Sequence, residues 1–137
     1  MTAMQETDPK QFIGDFFTDF TDEVVHGEGD PGPAMDRFYT PDIVQYADGI
    51  RLDYEKLLAH IKPVRKNLVE GRFEVHEAVA DGERLAARFT IHAQMRKGSA
   101  IATEVHFFGR FTPDGRLAEA RQLTRALPDL KKAGSDD

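Results

Sequence analysis

The chain has 137 residues, 40% of them hydrophobic, with ten Phe, no Trp, no Cys and a net charge of −6. That length suits one domain with a real core. The acidic balance argues against a general nucleic-acid binder, which needs a basic face, and without cysteine there is no disulfide, thiolate nucleophile or cysteine zinc site.

The opening MTAMQETDPK has no basic start followed by an apolar run, so a signal peptide is not expected, and no apolar stretch approaches membrane-spanning length. A cytoplasmic location is the expectation, with neither nucleic acid nor membrane as partner. Asp8-Pro9 reads as a helix N-cap with proline in the first turn, and Phe12, Phe16, Phe20 and Val24 recur at helical spacing to about Val25. GEGDPGP (27–33) is a turn-rich break, and AMDRFY begins a short second helix that stops before Pro41. DIVQYADG (42–49) reads as a short strand with Val44 and Tyr46 on one face. Asp53 caps a third helix with Leu57, Leu58 and Ile61 as its buried stripe, and Pro63 predicts a kink or an early end.

From Arg72 onward, RFEVHEAVA, ERLAARFTIHAQM, IATEVHFFGRF and RLAEARQLTRAL are strand runs separated by the turn signals DG, RKGS and PDG. The order predicts an α+β fold, a curved sheet wrapping one long helix, as a single domain over residues 8–127 with flexible termini at 1–7 and 128–137.

Strand parity sorts the last three runs into two rows. One holds Phe89, Ile91, Ala93, Met95, Val105, Phe107, Gly109, Phe111, Ala118, Ala120, Gln122 and Thr124. The other holds Arg88, Thr90, His92, Gln94, Glu104, His106, Phe108, Arg110, Glu119, Arg121, Leu123 and Arg125. Burying the second would strand cations at a cost on the order of several kcal/mol each, so the first row faces the helices and His106 looks outward. A hairpin around Gly98 would set His92 opposite Glu104 with His106 close by. Two His and a carboxylate can hold a divalent metal, but a polar cross-strand cluster is the commoner outcome, and no metal or cofactor is expected.

The stretches RFYTPDIVQYADG (37–49) and FFGRFTPDGRLAEARQLTR (107–125) resemble the helix–strand entry and the last hairpin of the nuclear transport factor 2-like superfamily. That superfamily includes the SnoaL-like polyketide cyclases, the ketosteroid isomerases and the scytalone dehydratases, and the resemblance spans roughly residues 10–127. It implies a cone in which bent sheet and helices enclose an apolar pocket, enzymes acting on flat hydrophobic carbonyl compounds without a cofactor, and a homodimer through the outer sheet face. Phe108, Arg121 and Leu123 suit the core of such an interface. The resemblance places the isomerases' catalytic-base aspartate at Tyr46, their oxyanion-hole aspartic acid at Phe107, and the acidic residue of the cyclases' last strand at Gln122. None of the three is an acid here, so isomerase chemistry is not expected.

The cone would be lined by Phe16 or Phe17, Phe20, Val44, Tyr46, Leu57, Ile61, Phe89, Ile91, Phe107, Ala120, Gln122 and Thr124. Gly109, Ala118 and Ala120 are small enough to leave room for a ligand, the alternative being that the Phe cluster closes the space. Tyr46 and Gln122 are candidates to polarise a substrate carbonyl, and Asp48 is either a base or a turn aspartate before Gly49. On RFEVHEAVA, either Glu77 or His76 faces inward, depending on the length of the DG turn. The functional expectation is a pocket for a small hydrophobic carbonyl-bearing molecule. The protein would act on it as a cofactor-free cyclase, isomerase or dehydratase; the alternative is a non-catalytic binding or dimeric interaction module.

Overall fold

A computed structural model describes residues 7–128. The flexible termini expected at 1–7 and 128–137 lie, apart from residues 7 and 128 themselves, outside the described residues. Helix α1 spans Pro9–Phe20, with the Asp8 carboxylate accepting from the Gln11 N–H as N-cap. It continues into a π-helical turn, Thr21–Val25. The extra residue in that turn lets both Val24 and Val25 reach the interior. A short α2, Gly32–Met35, leads to β1, Tyr39–Ala47, and β2, Ile50–Asp53. Helix α3 covers Tyr54–Asn67, and β3 Leu68–Asp81, β4 Arg84–Met95, β5 Ala100–Phe111 and β6 Leu117–Ala126 complete the chain order.

The strands form one sheet in the order β2-β1-β6-β5-β4-β3, antiparallel throughout except for the parallel β1–β6 pair. The result is an α+β fold in which a curved six-stranded sheet wraps the N-terminal helix. Ile13 and Phe16 of α1, Val24 beyond it, Leu57 and Ile61 of α3, and the row Leu85, Phe89, Val105, Phe107, Phe111 and Ala120 form one buried core. The expected parity of β4, β5 and most of β6 holds. Leu123 and Phe108 on the charged row are each 67% exposed, whereas Phe107 and Val105 are 2% and 1% exposed.

Five expectations need correction. The second helix, expected to begin at AMDRFY and run to Pro41, ends at Met35, and Tyr39 already opens β1. Strand β2 was not expected, yet Asp48-Gly49 is its hairpin loop: φ is +52° at Asp48 and +85° at Gly49, with Ala47 paired to Ile50. Two consecutive positive φ values are what a type I′ turn requires. Helix α3 runs through Pro63 to Asn67 without ending early, because Pro63 and Ala59 both face solvent and the carbonyl left without its N–H partner is not buried in the core.

On β1, the parallel register pairs Val44 with Glu119 and Tyr46 with Arg121, which sets Val44 and Tyr46 on the outer face. The inward row is Ile43, Gln45 and Ala47, with Ile43 1% exposed. On β3, neither His76 nor Glu77 faces inward. The DG turn has two loop residues, which alone would aim His76 into the cone, but the register shifts between Val75 and Glu77. This bulge leaves His76 unpaired and beside Thr90, their side-chain atoms 2.7 Å apart, while Glu77 pairs with Arg88.

Candidate functional site

The deep end of the cone is packed with rings. Phe17 lies 5.0 Å from Phe89, 5.4 Å from Phe73 and 5.7 Å from Phe107 between centroids, and Phe111 is held edge-on by Phe12 at 4.9 Å and Phe16 at 5.2 Å. Phe16, Leu57, Ile61, Phe89, Phe107 and Ala120 are core residues, with Phe20 and Ile91 partly buried against them. The space expected over Gly109 is occupied: a Cβ there would lie 2.6 Å from Phe107 Cε1. The Phe cluster therefore closes the deep part of the cone, and a ligand would have to use its shallower polar positions.

Two inward polar side chains hold that shallower position. Gln122 pairs with Phe107 across β5–β6, and Gln45 on β1 sits beside Ala120, so the two carboxamides are diagonal neighbours on the inner face. Both are half-buried and neither side chain makes a hydrogen bond to a described residue. A further inward polar side chain, Tyr39, lies at the opposite end of β1 beside Leu117, 7% exposed, its ring 5.3 Å from Phe20 and 6.5 Å from Phe16. Its hydroxyl likewise makes no hydrogen bond to a described residue. Among the described residues no wholly buried side-chain N or O atom lacks a partner, so the Tyr39 oxygen must reach a gap in the packing. Burial pushes the phenol far above its ordinary pKa, which keeps it a proton-bearing donor. Sequence reasoning missed Tyr39 and Gln45; the only signal for Gln45 was a polar residue between Ile43 and Ala47 at a common parity.

Of the residues expected to do chemistry, Gln122 alone lies on the inner face among uncommitted polar groups. Tyr46 lies outside, its ring beneath the Arg121 guanidinium at 4.3 Å. Val44 is outside with it. Asp48 is occupied: its carboxylate accepts the Thr124 N–H at 2.8 Å and the Thr124 hydroxyl at 2.5 Å, and its own N–H donates to the Gln122 carbonyl at 3.0 Å. Those bonds from Thr124, side chain first and backbone second, hold the Asp48 carboxyl below its usual range, which works against service as a base. Asp48 is a strap between the β1–β2 turn and β6.

The strap makes stability pH-dependent in a definite direction. A carboxyl lowered on folding stabilises fully above its unfolded pKa of about 3.9 and loses that contribution as pH falls through the lower folded value. Asp48→Ala should therefore melt below the native chain at neutral pH, and the gap should narrow as pH drops under about 4. A gap that stayed constant across an acid melting series would show that the strap contributes nothing through its charge.

The outer face carries a polar network. Glu104 lies 3.5 Å from Arg88, 3.4 Å from Arg125 and 3.3 Å from His106, and Glu74 lies 2.9 Å from His92. Partial burial alone would raise the Glu104 carboxyl, but the His106 hydrogen bond and the Arg125 charge outweigh it and leave it lowered. The expected pairing of His92 with Glu104 does not occur, because the hairpin register sets Thr90 opposite Glu104 and His92 opposite Ala102. Among the described residues no group of three or more His, Asp or Glu side chains could hold a metal ion. No described helix is long and apolar enough to cross a membrane.

A family model, the SnoaL-like domain, matches residues 11–120. An uncharacterized protein of Schizosaccharomyces pombe is 31% identical over 120 residues, covering 88% of each chain. Among solved structures, a candidate SnoaL-like polyketide cyclase from Shewanella denitrificans OS-217 is similar with a TM-score of 0.65 at 16% identity, over 93% of both chains. An NTF2-like protein of unknown function from Exiguobacterium sp. 255-15 is similar with a TM-score of 0.62 at 12% identity, over 84% of this chain and 96% of its own.

Proposed function

We propose, from the premise that this chain belongs to the SnoaL-like domain family, that it binds a small, flat, hydrophobic carbonyl compound at the inner face of its cone. The observation that carries the reading is the pair of carboxamides, Gln45 and Gln122, diagonal neighbours on the inner face that are half-buried and make no side-chain hydrogen bond to a described residue. Each carboxamide offers an N–H donor toward that face. A site of this kind fixes a carbonyl oxygen and draws electron density toward it, which favours enolisation or ring closure by polarisation. It offers no inward carboxylate or imidazole at Tyr46, Asp48, His76 or Glu77, so proton removal would fall to water or to the substrate itself. Binding is accordingly the primary role, and cofactor-free cyclisation, isomerisation or dehydration is the chemistry the same donors can assist.

The test is a calorimetric titration with 1-tetralone, a flat bicyclic ketone. Gln45→Leu should weaken binding about tenfold, the value of one hydrogen bond to a buried carbonyl, while leaving the melting temperature unchanged or higher. Gln122→Leu should weaken it by a similar factor. Saturable binding that ignores both substitutions would remove the inner face as the site. A Gln45→Leu chain that melts well below the native one would mean that the carboxamide makes a structural bond rather than waiting for a ligand.

A second reading concerns assembly. Leu123 and Phe108, each 67% exposed, are near neighbours on β6 and β5, flanked by Arg121 and Arg125. An apolar centre with an arginine rim is the composition of a protein contact, and a second copy of this chain is the proposed occupant. Light scattering should then give the mass of a dimer for the native chain and of a monomer for Leu123→Asp. A native chain that runs as a monomer at every workable concentration would remove this reading.

A further inference from the structure

His106 stands between the two exposed apolar side chains of the outer face. Leu123 is directly opposite it on β6, Phe108 is two residues along β5, and each is 67% exposed. With Val79, Ala86, Arg88 and Phe108 it also borders a trough of about 420 Å³. We propose that His106 is a pH gate on self-association: neutral, it can be covered by a second copy of this chain, and protonated, it drives the two copies apart. The gate rests on the dimer proposed above and adds its regulation.

Placement decides that the ring is covered. Val79, Ala86 and Phe108 align across β3, β4 and β5, and Leu123 lies diagonal to Phe108 on β6. The His106 side chain, 57% exposed, fills the angle between Phe108 and Leu123. A contact that takes those two out of water therefore takes the imidazole with them. The other histidines of this face do not flank Leu123. His76 is beside Thr90, and His92 is opposite Ala102 and paired with Glu74 at 2.9 Å.

Charge decides the direction. Around His106 stand Arg88 on β4, Glu104 on its own strand, and Arg121 and Arg125 on β6, with Glu77 of β3 beyond Arg88. Arg121 directs its guanidinium away toward β1, over the Tyr46 ring at 4.3 Å. Glu77 lies 3.5 Å from Arg88, and Glu104 lies 3.5 Å from Arg88, 3.4 Å from Arg125 and 3.3 Å from His106. Two carboxylates thus serve two guanidinium groups, and the cluster is balanced while His106 is neutral. Protonation leaves one positive charge in excess. In the free chain water solvates that charge, and Glu104 favours it. In a symmetric contact each copy would bring its own excess charge into a desolvated face, where Glu104 is already shared by two arginines and cannot offset the cost. Dissociation therefore takes up protons, so the dimer is favoured above the histidine range and lost as pH falls through it.

The experiment is sedimentation equilibrium of the full chain at pH 7.5 and 5.5. A histidine of ordinary pKa that must shed its proton to be covered weakens association about tenfold over that interval, and two per dimer weaken it about 100-fold. The native dimer should therefore dissociate about 100-fold more readily at pH 5.5. His106→Gln should dimerise at both pH values with nearly one constant. His106→Arg, which carries the charge permanently, should be monomeric at both while still unfolding in a single cooperative transition. His92→Gln should keep the native pH dependence. A native dimer equally tight at both pH values, or tighter at pH 5.5, would overturn the gate and leave the dimer standing. So would pH dependence that survives in His106→Gln or is lost in His92→Gln, a dimeric His106→Arg, or a His106→Gln chain that is monomeric at pH 7.5. A native chain monomeric at pH 7.5 at every workable concentration would instead remove the dimer itself, and the gate with it.

Discussion

Phe107→Ala is expected to cost about 3–5 kcal/mol and Gly109→Ala about 1–3 kcal/mol, yet the two losses should not add. A Cβ on Gly109 would stand 2.6 and 2.7 Å from Phe107 Cε1 and Cζ and 3.1 Å from Leu117 Cδ1. A free phenyl ring would turn aside at little cost. This one is boxed by Phe17 at 5.7 Å, Phe89 at 6.3 Å and Phe111 at 6.5 Å, so it cannot move without displacing a neighbour. Once Phe107 is alanine the obstruction is gone, and the added methyl enters the cavity left behind. Urea denaturation of the native chain, both single variants and the double should show a coupling of about 0.5–3 kcal/mol that favours the double. Strict additivity would mean that the ring and the glycine do not share the space that geometry assigns them.

The second large effect belongs to Arg65. From α3 its guanidinium donates through Nε and Nη2 to the Val24 carbonyl at 3.0 and 2.8 Å, and through Nη1 to the Gly29 carbonyl at 2.5 Å. The end of the π-helical turn is held by this one side chain, and a methyl on Gly27 would lie 3.8 Å from it and 2.3 Å from the Glu23 carbonyl oxygen. Arg65→Met should cost about 1.5–3 kcal/mol, the range for hydrogen bonds to a charged group. Arg65→Lys should recover little of that, since an ammonium cannot reproduce the planar fork. Thermal melts supply the magnitude, and hydrogen exchange at residues 26–30 the place. A lysine variant as stable as the native chain would reduce the role of Arg65 to charge alone.

The sheet was legible in the sequence wherever burial and alternation agree. Phe89, Val105, Phe107 and Phe111 stand in one row because the opposite row carries the arginines, and no other arrangement buries rings without burying charge. Strand β1 misled for the opposite reason. Val44 and Tyr46 are its more apolar pair, but Tyr46 is covered by Arg121 rather than by core, and shelter from a long side chain leaves no mark in a hydropathy pattern. The face of β1 is set by its parallel register with β6, a long-range fact, and the error carried Gln45 out of view with it. His76 was beyond reading in principle: one unpaired residue at the bulge reverses parity, and nothing in VHEAV announces it. Tyr39 was read as the end of the short second helix, AMDRFY, whereas it opens β1, and a residue assigned to a helix is not sorted by strand parity.

Strand β6 comes last of the strands in chain order but lies inside the sheet, between β1 and β5. During synthesis the ribosome must therefore deliver β1, β2 and the β3–β5 meander as two unjoined pieces, each with an open edge where β6 will go. Neither piece can close the core around α1 until the last hairpin has left the exit tunnel. Folding of the whole is thus expected to be a late event gated by a distant pairing, and the nascent chain presents two bare strand edges until it occurs.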